Sequence, residues 1–229
     1  AGVCGRTPQA LAEAQTARRH GYHAVLLSLA ALGDDHDDAL VEHVRSVSEV
    51  LPVVGFYLQA VVGGRRLSYA FWRRIAAIQA VVAIKIAPFD RYRTLDVVRA
   101  VDDAGRAGDL ALYTGNDDTI VTDLLTHFRF AVNRPPVRIV GGLLGHWGVW
   151  TRCAVELQQR LAAVRDSDAS IPPELLTLAA QVTDMNATVF DAANGFQGCI
   201  PGIHEVLRRQ GLLAGTWCLD PHEQLSPGQ

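Results

Sequence analysis

The sequence predicts an α/β protein built on a parallel sheet, followed by a wholly helical segment. Three observations carry this expectation. Strand-like and helix-like segments alternate up to about residue 145, and strand runs such as Val81–Ala87 are apolar enough to be covered on both faces, as parallel strands are. From Trp147 onward the strand pattern stops and helical patterns remain.

Thr7 and Pro8 make a cap and first-turn pair for a helix that stops near Gly21, and a strand follows over residues 23–29. Asp38 opens a second helix with Leu40, Val44, Val47 and Leu51 on one face, and Pro52 ends it because its ring cannot continue a helix. Val53–Leu58 is the next strand. Ser68 caps a helix over residues 69–78, its hydroxyl accepting from a first-turn N–H group, and Val81–Ala87 is the strand after it. Thr94 then caps a helix over 95–104, 110–114 is a strand, 119–128 a helix and 137–144 the last strand. Helices are expected over 147–164, 173–193 and 200–209, with a polar linker over 166–173 and Gly211 as a C-cap. Five readable strands are too few to close an eight-stranded barrel.

With 229 residues, 49% hydrophobic and 20% charged, the chain can bury the core of one large domain. A net charge of -3 and a pI near 6.2 provide no electrostatic footprint for nucleic acid or an anionic membrane surface, so the expected partners are small molecules and copies of the chain itself. No apolar run approaches the roughly 20 residues that span a bilayer. The first five residues have neither the basic nor the long apolar region of a secretory signal, which makes a cytoplasmic location the default. Cys4, Cys153, Cys199 and Cys218 lie far apart, against a zinc site or a disulfide scaffold. Met185 is the only methionine, so either the first residues were removed or the sequence is a piece of something longer.

Lys85 interrupts an otherwise apolar strand. Alternation puts Ala83, Lys85 and Ala87 on one face and Val82, Ile84 and Ile86 on the other, so that small residues flank the lysine as a crowded barrel interior requires. Lysine is seldom buried without a use, and apolar surroundings favour the neutral amine that attacks carbonyls; the competing reading pairs it with a carboxylate or lets it snorkel out. By the same parity Tyr57 shares that interior, either as a proton-moving phenol or as core. Arg65 and Arg66 follow Gly63 and Gly64 on the C-terminal side of the strand, where an arginine can hold a carboxylate bidentately or simply be solvated.

Gly115, Asn116 and Asp117 lie in a strand-to-helix turn that resembles an anion-binding loop in having glycine near a helix N-terminus, although its two carboxylates argue against phosphate and helix capping by Asp117 or Asp118 is the ordinary explanation. Gly141, Gly142 and His146 surround the end of the last strand, where the glycines permit a close approach and the histidine a polar contact, or just a tight turn. The acidic run at 34–38 is not read as a metal site, since consecutive carboxylates do not converge on one ion without a preorganised loop. No dinucleotide fingerprint, P-loop or nucleophile elbow occurs.

Tyr57 in Gly55-Phe56-Tyr57-Leu58, Lys85 in Ala83-Ile84-Lys85-Ile86-Ala87 and the turn Gly115-Asn116-Asp117-Asp118, in this order, resemble the dihydrodipicolinate synthase / N-acetylneuraminate lyase family. The resemblance implies a TIM (β/α)8 barrel with a C-terminal helical extension, divided here as residues 1–146 and 147–229. It implies a class I lyase or aldolase in which Lys85 forms a Schiff base with pyruvate or another 2-oxo acid and Tyr57 relays protons. Arg65 or Arg66 would bind carboxylate, no metal or organic cofactor would be needed, and a homodimer or homotetramer is expected. Counted on that pattern, residues 1–5 end the third strand, and the first two strands are lacking from this chain. A non-catalytic homologue or fragment acting as a binding or assembly subunit is the alternative. Leu29-Ala30-Ala31-Leu32 stands where the synthases place a second tyrosine, which implies a less polar or larger acceptor or leaving group, unless Ser28 takes that place.

Overall fold

Six parallel strands follow one another in chain order within one sheet in the computed structural model, which describes residues 1–167 and 170–229. They are β1 (Gly2–Val3), β2 (Val25–Leu27), β3 (Val53–Leu58), β4 (Val81–Ala87), β5 (Ala111–Thr114) and β6 (Ile139–Gly142). Helices α1 (Thr7–Arg19), α2 (Asp37–Ser48), α3 (Tyr69–Ala76), α4 (Arg91–Asp103) and α5 (Ile120–Leu125) separate them. Such sequential winding is that of a TIM barrel, here over six of its strands. Residues 2–3 supply the strand beyond the five readable ones, too short to show a pattern of its own.

The first compact unit comprises Ala1–Gly115 and Thr126–Gly141. Its core lies between strands and helices: Val25, Val53, Val81, Ile84, Ile86, Leu112 and Ile139 from the sheet are buried, as are Leu40, Val44, Phe71, Trp72, Ile75, Val97 and Val101 from α2, α3 and α4. Arg106 closes the loop before β4 by donating to the carbonyls of Ala76, Ile78, Gln79 and Val81.

Several boundaries differ from expectation for local reasons. The Ser68 hydroxyl accepts from the Phe71 amide as expected, but α4 is capped by Asp90, and Thr94 instead donates to the Asp90 carbonyl. Thr7 does not cap α1 either; its hydroxyl meets the Nδ1 of His43, 2.9 Å away. The acidic run at 34–38 is spread over separate partners, Arg6 for Asp35, Ser68 for Asp37 and Arg74 for Asp38.

The second unit comprises Asn116–Leu125 and Gly142–Gln229. It holds α5 with α6 (Gly145–Val149), α7 (Thr151–Arg165), α8 (Glu174–Val189) and α9 (Cys199–Arg209). The single helix expected over 147–164 is interrupted at Trp150, whose φ of -130° and ψ of 54° leave the helical region. Residues 168 and 169 of the expected linker lie outside the described residues. No described helix is long and apolar enough to cross a membrane.

Candidate active site

The register between β3 and β4 decides what surrounds Lys85. Val53 faces Val81, but Val54 faces Ala83, so Val82 is an extra residue in β4 and the pairing moves by one. From there Gly55 faces Ile84, Phe56 faces Lys85 and Tyr57 faces Ile86. Paired residues of neighbouring parallel strands point to the same side of the sheet. Phe56, not Tyr57, therefore shares the face of Lys85, and the lysine Nζ lies 4.5 Å from the centroid of the Phe56 ring, within cation–π range.

This corrects the expectation for Tyr57. Its side chain is buried in the helix-facing layer, tilted against Trp72 at 5.2 Å, with its hydroxyl donating to the Leu67 carbonyl and accepting from the Leu67 amide. Burial pushes the phenol above its ordinary pKa, opposed by the Leu67 hydrogen bond, so it is neutral and fully engaged there. The alternation expected for β4 holds beyond Val82: Ile84 and Ile86 are fully buried on the helix side, while Lys85 is half-buried.

On the other flank Lys85 faces Tyr113 of β5. Gly115, just past this strand, donates its amide to the Ile86 carbonyl at 2.6 Å. A Cβ on Gly115 would stand 2.7 Å from the Ala87 Cβ and 3.0 Å from the Lys85 Cε, so the lysine stem passes where only glycine leaves room. Gly141 of β6 does the same for Tyr113, whose Cε1 lies 3.1 Å from the place of a Cβ there. Lys85, Phe56, Tyr113, Gly115 and Gly141 thus come together on one face.

Arg65 and Arg66 separate clearly. Arg66 is exposed. Arg65 is half-buried, and its Nη1 donates to the carbonyls of Leu32 and Asp35 at 2.7 and 2.8 Å, which ties the end of β3 to the loop after β2. Its Nε is buried without a hydrogen-bond partner among the described residues, and the side chain lines a small hollow with Ser28, Leu29, Phe56 and Leu58. Gly64 makes this turn possible, because a Cβ there would meet the Leu58 carbonyl.

Asn116, Asp117, Gly142 and His146 belong to the second unit. Asn116 is buried. Asn186 of α8 donates from Nδ2 to the Asp117 carbonyl at 3.0 Å, which leaves its Oδ1 to accept from His146 Nδ1 at 2.8 Å. The His146 amide donates to the Asp117 carboxylate, and Thr183 donates to the Asp118 carbonyl. Burial pushes the His146 pKa down, opposed by the Asn186 hydrogen bond, so the ring is held neutral with its proton on Nδ1. Gly142 sits against the Trp147 ring, 3.2 Å from the place of a Cβ. The turn is held down by α6 and α8.

Sequence reasoning missed Phe56, Tyr113 and Asn186. Tyr113 had a signal, because alternation in β5 puts Ala111, Tyr113 and Gly115 on one side. Asn186 had none, since it acts 69 positions from Asp117.

Solved structures with this architecture include dihydrodipicolinate synthase from Bacteroides thetaiotaomicron, which the chain matches with a TM-score of 0.73 at 16% identity, over 99% of this chain and 70% of that one. The fold is that of the dihydrodipicolinate synthases. A prophage protein of the dihydrodipicolinic acid synthase family from E. coli K12, solved in complex with pyruvate, matches with a TM-score of 0.70 at 14% identity, over 98% of this chain and 69% of that one. N-acetylneuraminate lyase from Fusobacterium nucleatum matches at 0.67 and 12% identity, over 98% and 67%. No protein-family model and no curated protein sequence matches the chain.

Proposed function

We propose that this chain acts as a class I lyase or aldolase of the dihydrodipicolinate synthase family, with Lys85 forming a Schiff base with pyruvate or another 2-oxo acid. The observation that carries the reading is the lysine itself. It stands in an otherwise apolar strand, its stem passes over Gly115, and its amine reaches the Phe56 ring. The pyruvate complex of a protein with the same fold supports the substrate class. In this reading the Lys85 amine adds to the keto carbon, loss of water leaves an iminium, and that electron sink permits deprotonation or bond cleavage at the next carbons.

Arg65 is the better carboxylate partner of the two arginines. Two backbone carbonyls fix its Nη1, which preorganises the opposite edge of the guanidinium for a bidentate contact. The loop after β2 places Leu29 beside Phe56 and Leu58 in the same hollow, which supports a less polar or larger acceptor or leaving group.

The test is covalent trapping. Incubation of the full chain with pyruvate and borohydride, followed by digestion and mass mapping, is expected to put the reduced adduct on Lys85, and Lys85→Ala is expected to abolish it. Repeating the trapping with larger 2-oxo acids, and assaying a panel of aldehyde acceptors, reads the preference. An adduct only elsewhere, or none with any 2-oxo acid, would leave the rival reading of a binding or assembly subunit.

A further inference from the structure

We propose that Tyr113 is the acid–base hydroxyl of the Lys85 site. The proposal rests on the Schiff-base reading of Lys85 and adds to it the group that moves its protons. The chemistry needs such a group twice: the carbinolamine oxygen must be protonated to leave as water, and a proton must then be taken from C3 of the iminium.

The strands beside Lys85 offer few choices. On its face β3 presents Val54, Phe56 and Leu58, β4 presents Ala83 and Ala87, and β5 presents Ala111, Tyr113 and then Gly115. Tyr113 alone among these carries an ionisable O–H group. It is the direct cross-strand partner of Lys85, its ring lies across Gly141, and its hydroxyl makes no hydrogen bond among the described residues. Tyr57, on the neighbouring strand β3, is turned to the opposite side and spends its hydroxyl on Leu67. Small residues at Gly115 and Gly141 keep open the space into which the phenol and a ligand on Lys85 would project.

Neutral Lys85 adds to the carbonyl carbon and, with transfer of a proton from nitrogen to oxygen, gives the carbinolamine. Tyr113 gives its proton to the carbinolamine hydroxyl, which leaves as water while the nitrogen lone pair forms the iminium and tyrosine becomes phenolate. The phenolate then takes a proton from C3, which yields the enamine and restores Tyr113. No oxidant, reductant or metal enters the balance.

The experiment follows exchange of the C3 hydrogens of pyruvate in deuterated water by NMR, beside borohydride trapping on Lys85. Tyr113→Phe is expected to lower the exchange rate about 100-fold, the usual size of an acid–base contribution. Trapping on Lys85 is expected to persist on prolonged incubation, and the exchange in Tyr57→Phe to match the wild type. Gly141→Ala, which crowds the Tyr113 ring but keeps its hydroxyl, provides a second variant with an intermediate loss expected. Exchange within about twofold of the wild type in Tyr113→Phe, or in Gly141→Ala where the first variant does not fold, overturns the role of Tyr113 while leaving Lys85 standing. A wild type that forms no adduct overturns the Lys85 reading and the role of Tyr113 together.

Discussion

Tyr57 and Tyr113 are chemically the same residue on opposite sides of one sheet, and the side decides the use. Tyr57 is enclosed by the helix layer, where its ring packs on Trp72 and its hydroxyl joins both backbone groups of Leu67. Leu67 directly precedes the Ser68 cap of α3, so the phenol acts as an internal tie. Replacing it with phenylalanine keeps the ring and strands the buried Leu67 amide and carbonyl, at a cost of about 1–2 kcal/mol. Urea unfolding of Tyr57→Phe should show this as a lower midpoint at unchanged slope. Stability equal to the wild type would mean that the tie contributes nothing.

At the level of elements, one extra residue accounts for the main misreading of the site. Val53 and Val81 pair 28 positions apart; had that offset continued, Tyr57 would face Lys85. Beyond Val82 the offset is 29, and Phe56 takes the place. A bulge is a backbone event driven by the twist and curvature of the whole sheet, and two adjacent valines give no local sign of it. The strands themselves were legible, β3 and β4 to the residue, because continuous branched runs bounded by Pro52 and by Pro88 admit little else. Helix starts were less so, since Thr7 gives its hydroxyl to the distant His43 while Arg6 stands at the cap position of α1 without a side-chain bond, and Asp90, four residues before Thr94, caps α4. The close approach at Gly115 carries its own test at this scale. Gly115→Ala places a methyl group 2.7 Å from Ala87 and 3.0 Å from the lysine stem, so β4 and β5 must separate or Lys85 must swing. Destabilisation of about 1–3 kcal/mol is expected, with at least a tenfold slower adduct formation on Lys85. Trapping at the wild-type rate would show that the stem does not depend on this gap.

Across the whole molecule, each of the two units holds one buried histidine that its surroundings keep neutral. In the first, His43 on α2 meets the Thr7 hydroxyl at Nδ1, and its Nε2 is buried with no hydrogen-bond partner among the described residues; burial pushes its pKa down and Asp35 pulls it partly back. In the second, His146 is depressed by burial and partly restored by Asn186. The unfolded chain titrates both near the ordinary histidine value of 6.5. Above that pH the two states bind the same protons at these sites, and the folded state keeps its full advantage. Below it the unfolded chain takes up protons that the folded protein refuses, so stability falls as the pH drops from 6.5 toward the depressed folded values, by at most about 1.4 kcal/mol per pH unit for each histidine. Glu205 lies outside this window, because hydrogen bonds from Arg208 and Arg209 hold its carboxyl down at about 2 and the unfolded group titrates near 4.5. The unfolding midpoint is therefore expected to fall between pH 7.5 and 5.5, and His43→Gln and His146→Gln to flatten that fall separately, more so when combined. Because glutamine can still bond Thr7 or Asn186, a loss of stability at pH 7.5 in a variant reads packing, and only the change in slope reads protonation. A slope that survives in the double variant would assign the pH dependence to groups other than these two histidines.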